Sequence, residues 1–474
     1  MLCQNPFTRK RLYANMSPQQ IQWIKKGKQM AVIAPFKGIL YNPEKIREMS
    51  KVIAPPYDVI SPDGQENLYQ KSDYNVVRLD FAKGSPSDND INNRYTRAAS
   101  DLKKWQADGI LVMDERPTVY IYEQDYRLKD GTLKTRKGFI SLVRIEELDS
   151  GVILPHERTL SGPKTDRLNL TKATDANFSP IFSLYSDPEM KTSALLSGES
   201  KTLPLVNVQG EDGANNRLWR VTDESNINGL IREISDKMIF IADGHHRYET
   251  ALNYRNEMRE KHPDYTGREG FNYTLMYFSN MDDEGLTVFP THRLIYGVKD
   301  FDPAVFENRL SENFKIERMP TPASANLWSS FMRRLKEKGK SGHSFGVYAK
   351  GWNHAAIITL RNEEVMDRLV AGHSKAYRRL DVTILHTLVI ENILGVSKEC
   401  QERKENIEYI QDEDDGLSKV QHGERQLFFI LNPTKVTEVE EVAKARDKMP
   451  QKSTYFYPKL LTGLVVNKIG DTTI

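Results

Sequence analysis

Asp243-Gly244-His245-His246-Arg247 is the densest run of chemistry-bearing residues in the sequence. An apolar stretch, Met238 to Ala242, stops at Asp-Gly, and apolar and aromatic positions at Tyr248, Ala251, Leu252 and Tyr254 follow with helical spacing. Gly244 frees the backbone to turn or to approach a ligand closely. The residues after it then fall in a first helical turn, where N–H groups without intrahelical partners and the helix dipole attract anions. His245, His246 and Arg247 add side-chain donors at the same place. The pattern predicts a strand–turn–helix that binds phosphate or carboxylate.

Other polar islands have the right residue types with less constraint. His156-Glu157 lies in a loop after Leu154-Pro155 and offers a proton acceptor and a metal ligand, with Lys164 and Arg167 downstream as positive charge. No second histidine sits four residues on, so this is not the helical zinc signature. Lys452-Ser453-Thr454 precedes three aromatics and Lys459. It lacks the glycine-rich lead of a P-loop, and it reads equally as a phosphate contact or as packed aromatics beside surface lysines. Tyr57-Asp58 follows two prolines that hold the chain extended, a rigid place for a ligand contact or for a helix cap. His292-Arg293 after Pro290-Thr291 forms another short polar island.

The elements that must position these residues alternate in type. Ser61-Pro62 reads as a helix N-cap with proline at the first helical position. Residues 75–81 read as a strand and 94–108 as a helix with a stripe at Tyr95, Ala98, Ala99, Leu102 and Trp105. Two runs flanking Asp130-Gly131 read as a hairpin. Strands are expected at 216–222, 237–242, 275–279 and 289–295, with a helix near 224–236. Beyond about 300 the texture changes. Helices are expected at 303–315 and 325–338, paired strands at 346–350 and 355–360, a helix over 381–394 closed by Gly395, and a strand at 426–431. The sum is mixed α+β in two lobes.

Composition narrows the functional classes. The chain has 474 residues, with 67 basic against 65 acidic side chains and a net charge of +2. That balance gives no reason to expect a nucleic-acid coat. Two cysteines, Cys3 and Cys400, make neither a disulfide framework nor a paired metal site and suit a reducing cytoplasm. No apolar run nears the roughly 20 residues that a membrane span needs. Residues 1–29 read as a loose extension before Met30.

Five segments together give the chain a family likeness: APPYDVIS (54–61), LPHERTL (154–160), ADGHHRYETAL (242–252), HRL (292–294) and MPQKSTYFYPK (449–459). In this order they resemble domain-of-unknown-function family 1015 of bacteria and archaea. The DGHHR segment in turn resembles the phosphate-binding motif of the ParB/sulfiredoxin-like superfamily, which includes free-serine kinases. The resemblance implies a ParB/sulfiredoxin-like mixed-sheet core over residues 30–300 and an additional α/β lobe over 301–474. It implies a nucleotide-dependent phosphotransferase, using ATP or ADP and Mg²⁺ on a small hydroxyl compound. Gly244, His245, His246 and Arg247 would hold phosphates, and Asp243 would bind Mg²⁺ or orient the acceptor. Glu157, beside His156, would take the hydroxyl proton. Lys164, Arg167 and Lys452-Ser453-Thr454 would complete the phosphate site, and Tyr57, Asp58, His292 and Arg293 would contact the substrate. Sulfiredoxin's reactive cysteine has no counterpart here. A non-catalytic nucleotide-binding regulator is the alternative, followed by a metal-dependent hydrolase built on His156, Glu157, His245 and His246. The acceptor, the nucleotide base and the oligomeric state stay open.

Overall fold

The computed structural model describes residues 31–157, 161–321 and 325–474. The expected extension 1–29 and residues 158–160 of the LPHERTL segment lie outside them. The fold is α+β, in two compact units. The first takes the described residues up to Leu154, then Ser161–Gly285 and Leu460–Ile474. The second takes the described residues of Pro155–Leu160 and Leu286–Lys459.

A nine-stranded mixed sheet forms the first unit. Its strands are β1 (Ile33–Ala34), β2 (Tyr120–Arg127), β3 (Leu133–Arg144), β4 (Ile153–Pro155), β5 (Ile181–Tyr185), β6 (Val206–Gln209), β7 (Asn215–Arg220), β8 (Ile239–Asp243) and β9 (Tyr273–Asn280). Their order is β4-β8-β5-β9-β3-β2-β7-β6, with β1 beside β3. The Asp130-Gly131 hairpin joins β2 to β3, Tyr120 opposite Ile140 and Arg127 opposite Leu133. Strand β9 runs parallel to β5 and antiparallel to β3, and all eight of its residues are buried. That burial requires cover on both faces. Gly138 in β3 permits the closest approach: a β-carbon there would meet the Phe278 carbonyl oxygen at 2.3 Å.

Helices α1 (Pro62–Lys71), α2 (Val77–Asp80), α3 (Arg94–Ala107), α4 (Ser161–Thr174), α5 (Glu224–Ser235) and α6 (His245–Lys261) accompany this sheet. Ser61 caps α1 through the Gly64 N–H, with Pro62 in the first turn. The strand expected over 75–81 is absent, and the segment forms the short helix α2. The Asn75 carboxamide accepts from the Val77 N–H and donates to the Lys51 and Ile53 carbonyls, which turns the chain. Val76, Val77 and Leu79 then bury against Leu102 and Trp105 as a helix, since a short apolar run buries equally well in either form. Lys172–Glu257 (2.7 Å) and Lys164–Glu249 (2.9 Å) tie α4 to α6. The Tyr248 hydroxyl donates to the Glu146 carbonyl just beyond β3 and accepts from the Glu146 N–H, which fixes where α6 begins.

The second unit holds a six-stranded antiparallel sheet of β10 (His292–Ile295), β11 (Phe314–Pro320), β12 (Ser344–Ala349), β13 (His354–Leu360), β14 (Ile407–Ile410) and β15 (Leu427–Leu431). Its order is β11-β13-β12-β15-β10-β14. Helices α7 (Pro303–Asn313) and α8 (Ala325–Gly339) belong to it. The helical run from Asp381 widens into a π-helix over Leu385–Glu391 and reaches Gly395 at φ +72°. Leu385, Leu388 and Val389 pack there with Phe345, Ile358 and Phe429. No helix among the described residues is long and apolar enough to cross a membrane.

Candidate functional site

Strand β8 delivers Asp243 to its end, and the chain turns into α6 through Gly244 at φ +91° and ψ +29°. This left-handed conformation strains any residue with a β-carbon. A β-carbon at Gly244 would also stand 2.8 Å from Arg247 Nε. The guanidinium therefore folds back over the glycine, at the mouth of a 17-residue helix that no side chain caps. Arg247 is held there by the Pro180 carbonyl (2.5 Å) and the Ser179 hydroxyl (3.2 Å), with Asp243 Oδ2 at 3.6 Å. Its Nε is buried and has no hydrogen-bond partner among the described residues. His245 is buried and His246 half-buried in the same turn.

A second arginine stands close by. Arg167 of α4 is buried, donates to Asp80 Oδ1 (3.1 Å) and the Asp80 carbonyl (2.6 Å), and forks onto Asp166 Oδ2 at 2.6 and 2.9 Å. Its guanidinium lies over the Tyr57 ring, 4.1 Å from the centroid. A cavity of about 40 Å³ opens between these groups, lined by Asp80, Arg167, Asn177, Ser179, Arg247 and Thr250. Burial pushes the Asp80 carboxyl up, against the pull of Arg167 and Arg247. Burial also works on Asp166, but the Arg167 charge and hydrogen bonds from Arg167 and Tyr95 prevail and hold it below the usual range. The Tyr57 hydroxyl is pushed up to about 12 by burial, tempered by Arg247 and Arg167. Asp58 is exposed.

Within this unit the structure brings the Tyr57, Lys164–Arg167 and Asp243–Arg247 segments to one place. It also shows what two of the expected phosphate contacts already do: Arg167 is neutralised by two carboxylates, and Lys164 by Glu249. Asp80, Ser179 and Glu249 are site residues that the sequence reading passed over. Asp80 alone had a signal, a carboxylate between the apolar Leu79 and Phe81, where burial demands a partner.

The remaining expected residues belong to the second unit. Glu157 pairs in a parallel bridge with Met449, and its Oε1 accepts from the Lys452 N–H at 2.8 Å. His156 Nε2 meets Thr454 Oγ1 at 3.2 Å, and Ser453 Oγ donates to the Pro450 carbonyl at 2.6 Å. His156 and Glu157 thus meet the 449–454 segment within this unit. His292 is fully buried, and its Nδ1 accepts from the Leu431 N–H. Arg293, also fully buried, donates to His386 Nε2 (3.1 Å), to the Lys452 carbonyl (3.0 Å) and to the Thr291 carbonyl. Burial pushes the Arg293 guanidinium down to about 10. No group of three or more metal-ligating side chains occurs among the described residues. The four residues of the hydrolase reading divide between the units, His156 and Glu157 in one, His245 and His246 in the other.

Residues 33–383 match the family described as a protein of unknown function, DUF1015, and the chain belongs to that family. No curated protein matches it. Among solved structures it is similar to a conserved hypothetical protein from Pyrococcus furiosus, at 15% identity over 66% of this chain and 90% of that one, TM-score 0.31. It is also similar to a free serine kinase in complex with AMP, at 15% identity over 66% and 85%, TM-score 0.31. A third is SbnI with a C-terminal truncation from Staphylococcus aureus, at 11% identity over 68% and 85%, TM-score 0.31. Likenesses of this strength assign no role.

Proposed function

We propose that the first unit binds a nucleotide by its phosphates at the β8–α6 turn, and that the protein is a nucleotide-dependent phosphotransferase acting on a small hydroxyl compound. One observation carries the reading. Arg247 is locked over Gly244 at an uncapped helix mouth with Nε unsatisfied. A phosphate oxygen placed there meets backbone N–H groups, the helix dipole and a pre-oriented guanidinium at once.

The remaining residues take roles that follow from their bonds. Arg167 is the anchor: with Asp80 and Asp166 satisfied, it holds Tyr57 and the cavity wall. Asp243 is the acidic group at the strand end. It suits a Mg²⁺ that arrives on phosphates, because such an ion needs only one or two protein carboxylates. When bound, the metal would neutralise charge on the transferring group. Positioning and electrostatics are most of what phosphoryl transfer asks of a protein.

The second reading, a regulator that binds nucleotide without chemistry, is favoured by the pairing of Lys164 and Arg167 with carboxylates, which leaves little free positive charge for a transition state. Thermal-shift titrations with ATP, ADP, CTP and GTP, with and without Mg²⁺, test the binding. Saturation at 100 times Kd adds about 2.7 kcal/mol. A shift for one nucleotide that is lost in Arg247→Ala supports the site, and no shift with any nucleotide refutes both readings. Turnover of the bound nucleotide with a panel of small alcohols then separates transferase from regulator.

A further inference from the structure

The second unit contains a cavity that the proposed nucleotide site does not use. It measures about 100 Å³, room for several waters or a compact molecule of similar size, and the π-helix Leu385–Glu391 supplies part of its wall. Single π turns inside helices recur at functional positions.

His373 lines this cavity in a fixed pose. Its Nδ1 bonds Asp447 Oδ1 at 2.9 Å, and the ring stacks on Tyr377 with centroids 4.0 Å apart and planes 18° from parallel. Asp447 is itself pinned by the Ser374 N–H (2.8 Å) and the Lys448 N–H (2.9 Å). An ionised carboxylate can only accept, so Nδ1 carries the proton that it receives and Nε2 is the nitrogen left for other contacts. No described residue bonds Nε2, and it is not among the buried polar atoms without partners.

The same holds for two more groups on the lining. Thr387 Oγ1 and the Tyr409 hydroxyl make no hydrogen bond to any described residue, yet neither is sealed away as a buried unpartnered atom. Lys398 and Lys448 also line the cavity, and neither forms a salt bridge with a described residue. Opposite charge on the lining comes from Glu402 and from Glu391, whose carboxyl burial pushes up and whose Oε1 accepts from Gln401 at 3.3 Å. A concave site with a few convergent, unsatisfied polar groups on a partly apolar wall is the ordinary form of a small-molecule pocket.

We infer that this cavity is a second ligand site, for a small hydroxylated oxyanion, a carboxylate or a phosphate ester. Lys398 and Lys448 bind the charged end, and His373 Nε2, Thr387 and Tyr409 read the hydroxyl groups. The inference does not rest on the nucleotide reading, because every residue in it belongs to the second unit.

Calorimetric titration of the full-length protein with malate, glycerol 3-phosphate, inorganic phosphate and uncharged glycerol tests it. At least one charged probe saturates the protein while glycerol does not, and the contrast between malate and the phosphates identifies the oxyanion. Lys448→Ala weakens that probe at least 10-fold, and the near-isosteric Tyr409→Phe weakens it at least 3-fold. Arg247→Ala leaves it unchanged. The probe also moves one histidine ring signal in the NMR spectrum, and that signal is missing in His373→Gln. The inference is overturned if no charged probe binds, if glycerol binds as tightly as the charged probes, or if affinity is untouched in both Lys448→Ala and Tyr409→Phe.

Discussion

Arg247 and Gly244 occupy one volume between them: the guanidinium takes the space that a β-carbon on the glycine would need, with Nε 2.8 Å from that point. Only His245 and His246 separate the two, so a single turn of α6 creates both the left-handed entry and the cation over it. Neither residue can change without disturbing the other.

Gly244→Ala is therefore expected to act twice. Forcing alanine to φ +91° costs about 1–2 kcal/mol, a melting temperature lower by a few degrees. The methyl group also expels the guanidinium from its seat on Ser179 and Pro180. Differential scanning fluorimetry with and without nucleotide checks both. A variant that melts lower but still responds fully to nucleotide would remove this turn from the binding site.

Arg247→Lys keeps the charge and loses the fork. A single ammonium cannot bond Ser179 and the Pro180 carbonyl while lying flat over Gly244. Nucleotide affinity should fall at least 10-fold and stability by about 1–3 kcal/mol, the usual cost of losing hydrogen bonds to a charged group. Titration calorimetry beside chemical denaturation separates the two effects. Affinity within 2-fold of the parent would show that charge alone serves, contrary to the geometry.

Much of this arrangement was legible before the structure. Asp-Gly after an apolar run announced the β8–α6 turn, Asp130-Gly131 announced the β2–β3 hairpin, and Ser61-Pro62 announced the start of α1, because each depends on local backbone chemistry. What the sequence hid depends on long-range pairing. Asp80 and Arg167 are 87 residues apart, and nothing local says that the carboxylate between Leu79 and Phe81 will meet that arginine rather than another. The strand reading of 75–81 failed for a related reason: β-branched residues there bury as a short helix once Asn75 turns the chain. The pairing of Lys164 with Glu249 was equally invisible, and it changes Lys164 from a free phosphate contact into a tie between two helices.

Asp80 gives a test by pH. Burial raises its folded-state pKa above its unfolded one, despite Arg167 and Arg247. The folded state then holds its proton over a window in which the unfolded state has released it, so this group's contribution is present below the unfolded value, near about 4, and is lost as pH rises through the folded value. Denaturation of the parent and Asp80→Asn at a series of pH values should show the stability difference moving against the parent as pH rises from about 4. A constant difference across that range would mean that Asp80 is not held in the buried pair. Arg167→Met, which leaves the carboxylate unpaired, should cost about 3–5 kcal/mol.

His386 provides the opposite sign in the second unit. Arg293 can only donate, so His386 Nε2 must accept, and its Nδ1–H donates to Gln401 Oε1 at 2.5 Å. The ring is neutral and fully committed. Burial first and the Arg293 charge second push its pKa down to about 3. As pH falls below the unfolded value of about 6.5, the unfolded chain takes up a proton that the folded chain refuses. Stability is complete above about 6.5 and declines toward about 3, at up to about 1.4 kcal/mol per pH unit. His386→Gln carries no titrating group, and the difference between parent and variant unfolding energies should shrink steadily from pH 7 to 4. A difference that does not change with pH would show that His386 titrates normally. The Arg293–His386–Gln401 chain would then not be closed in solution.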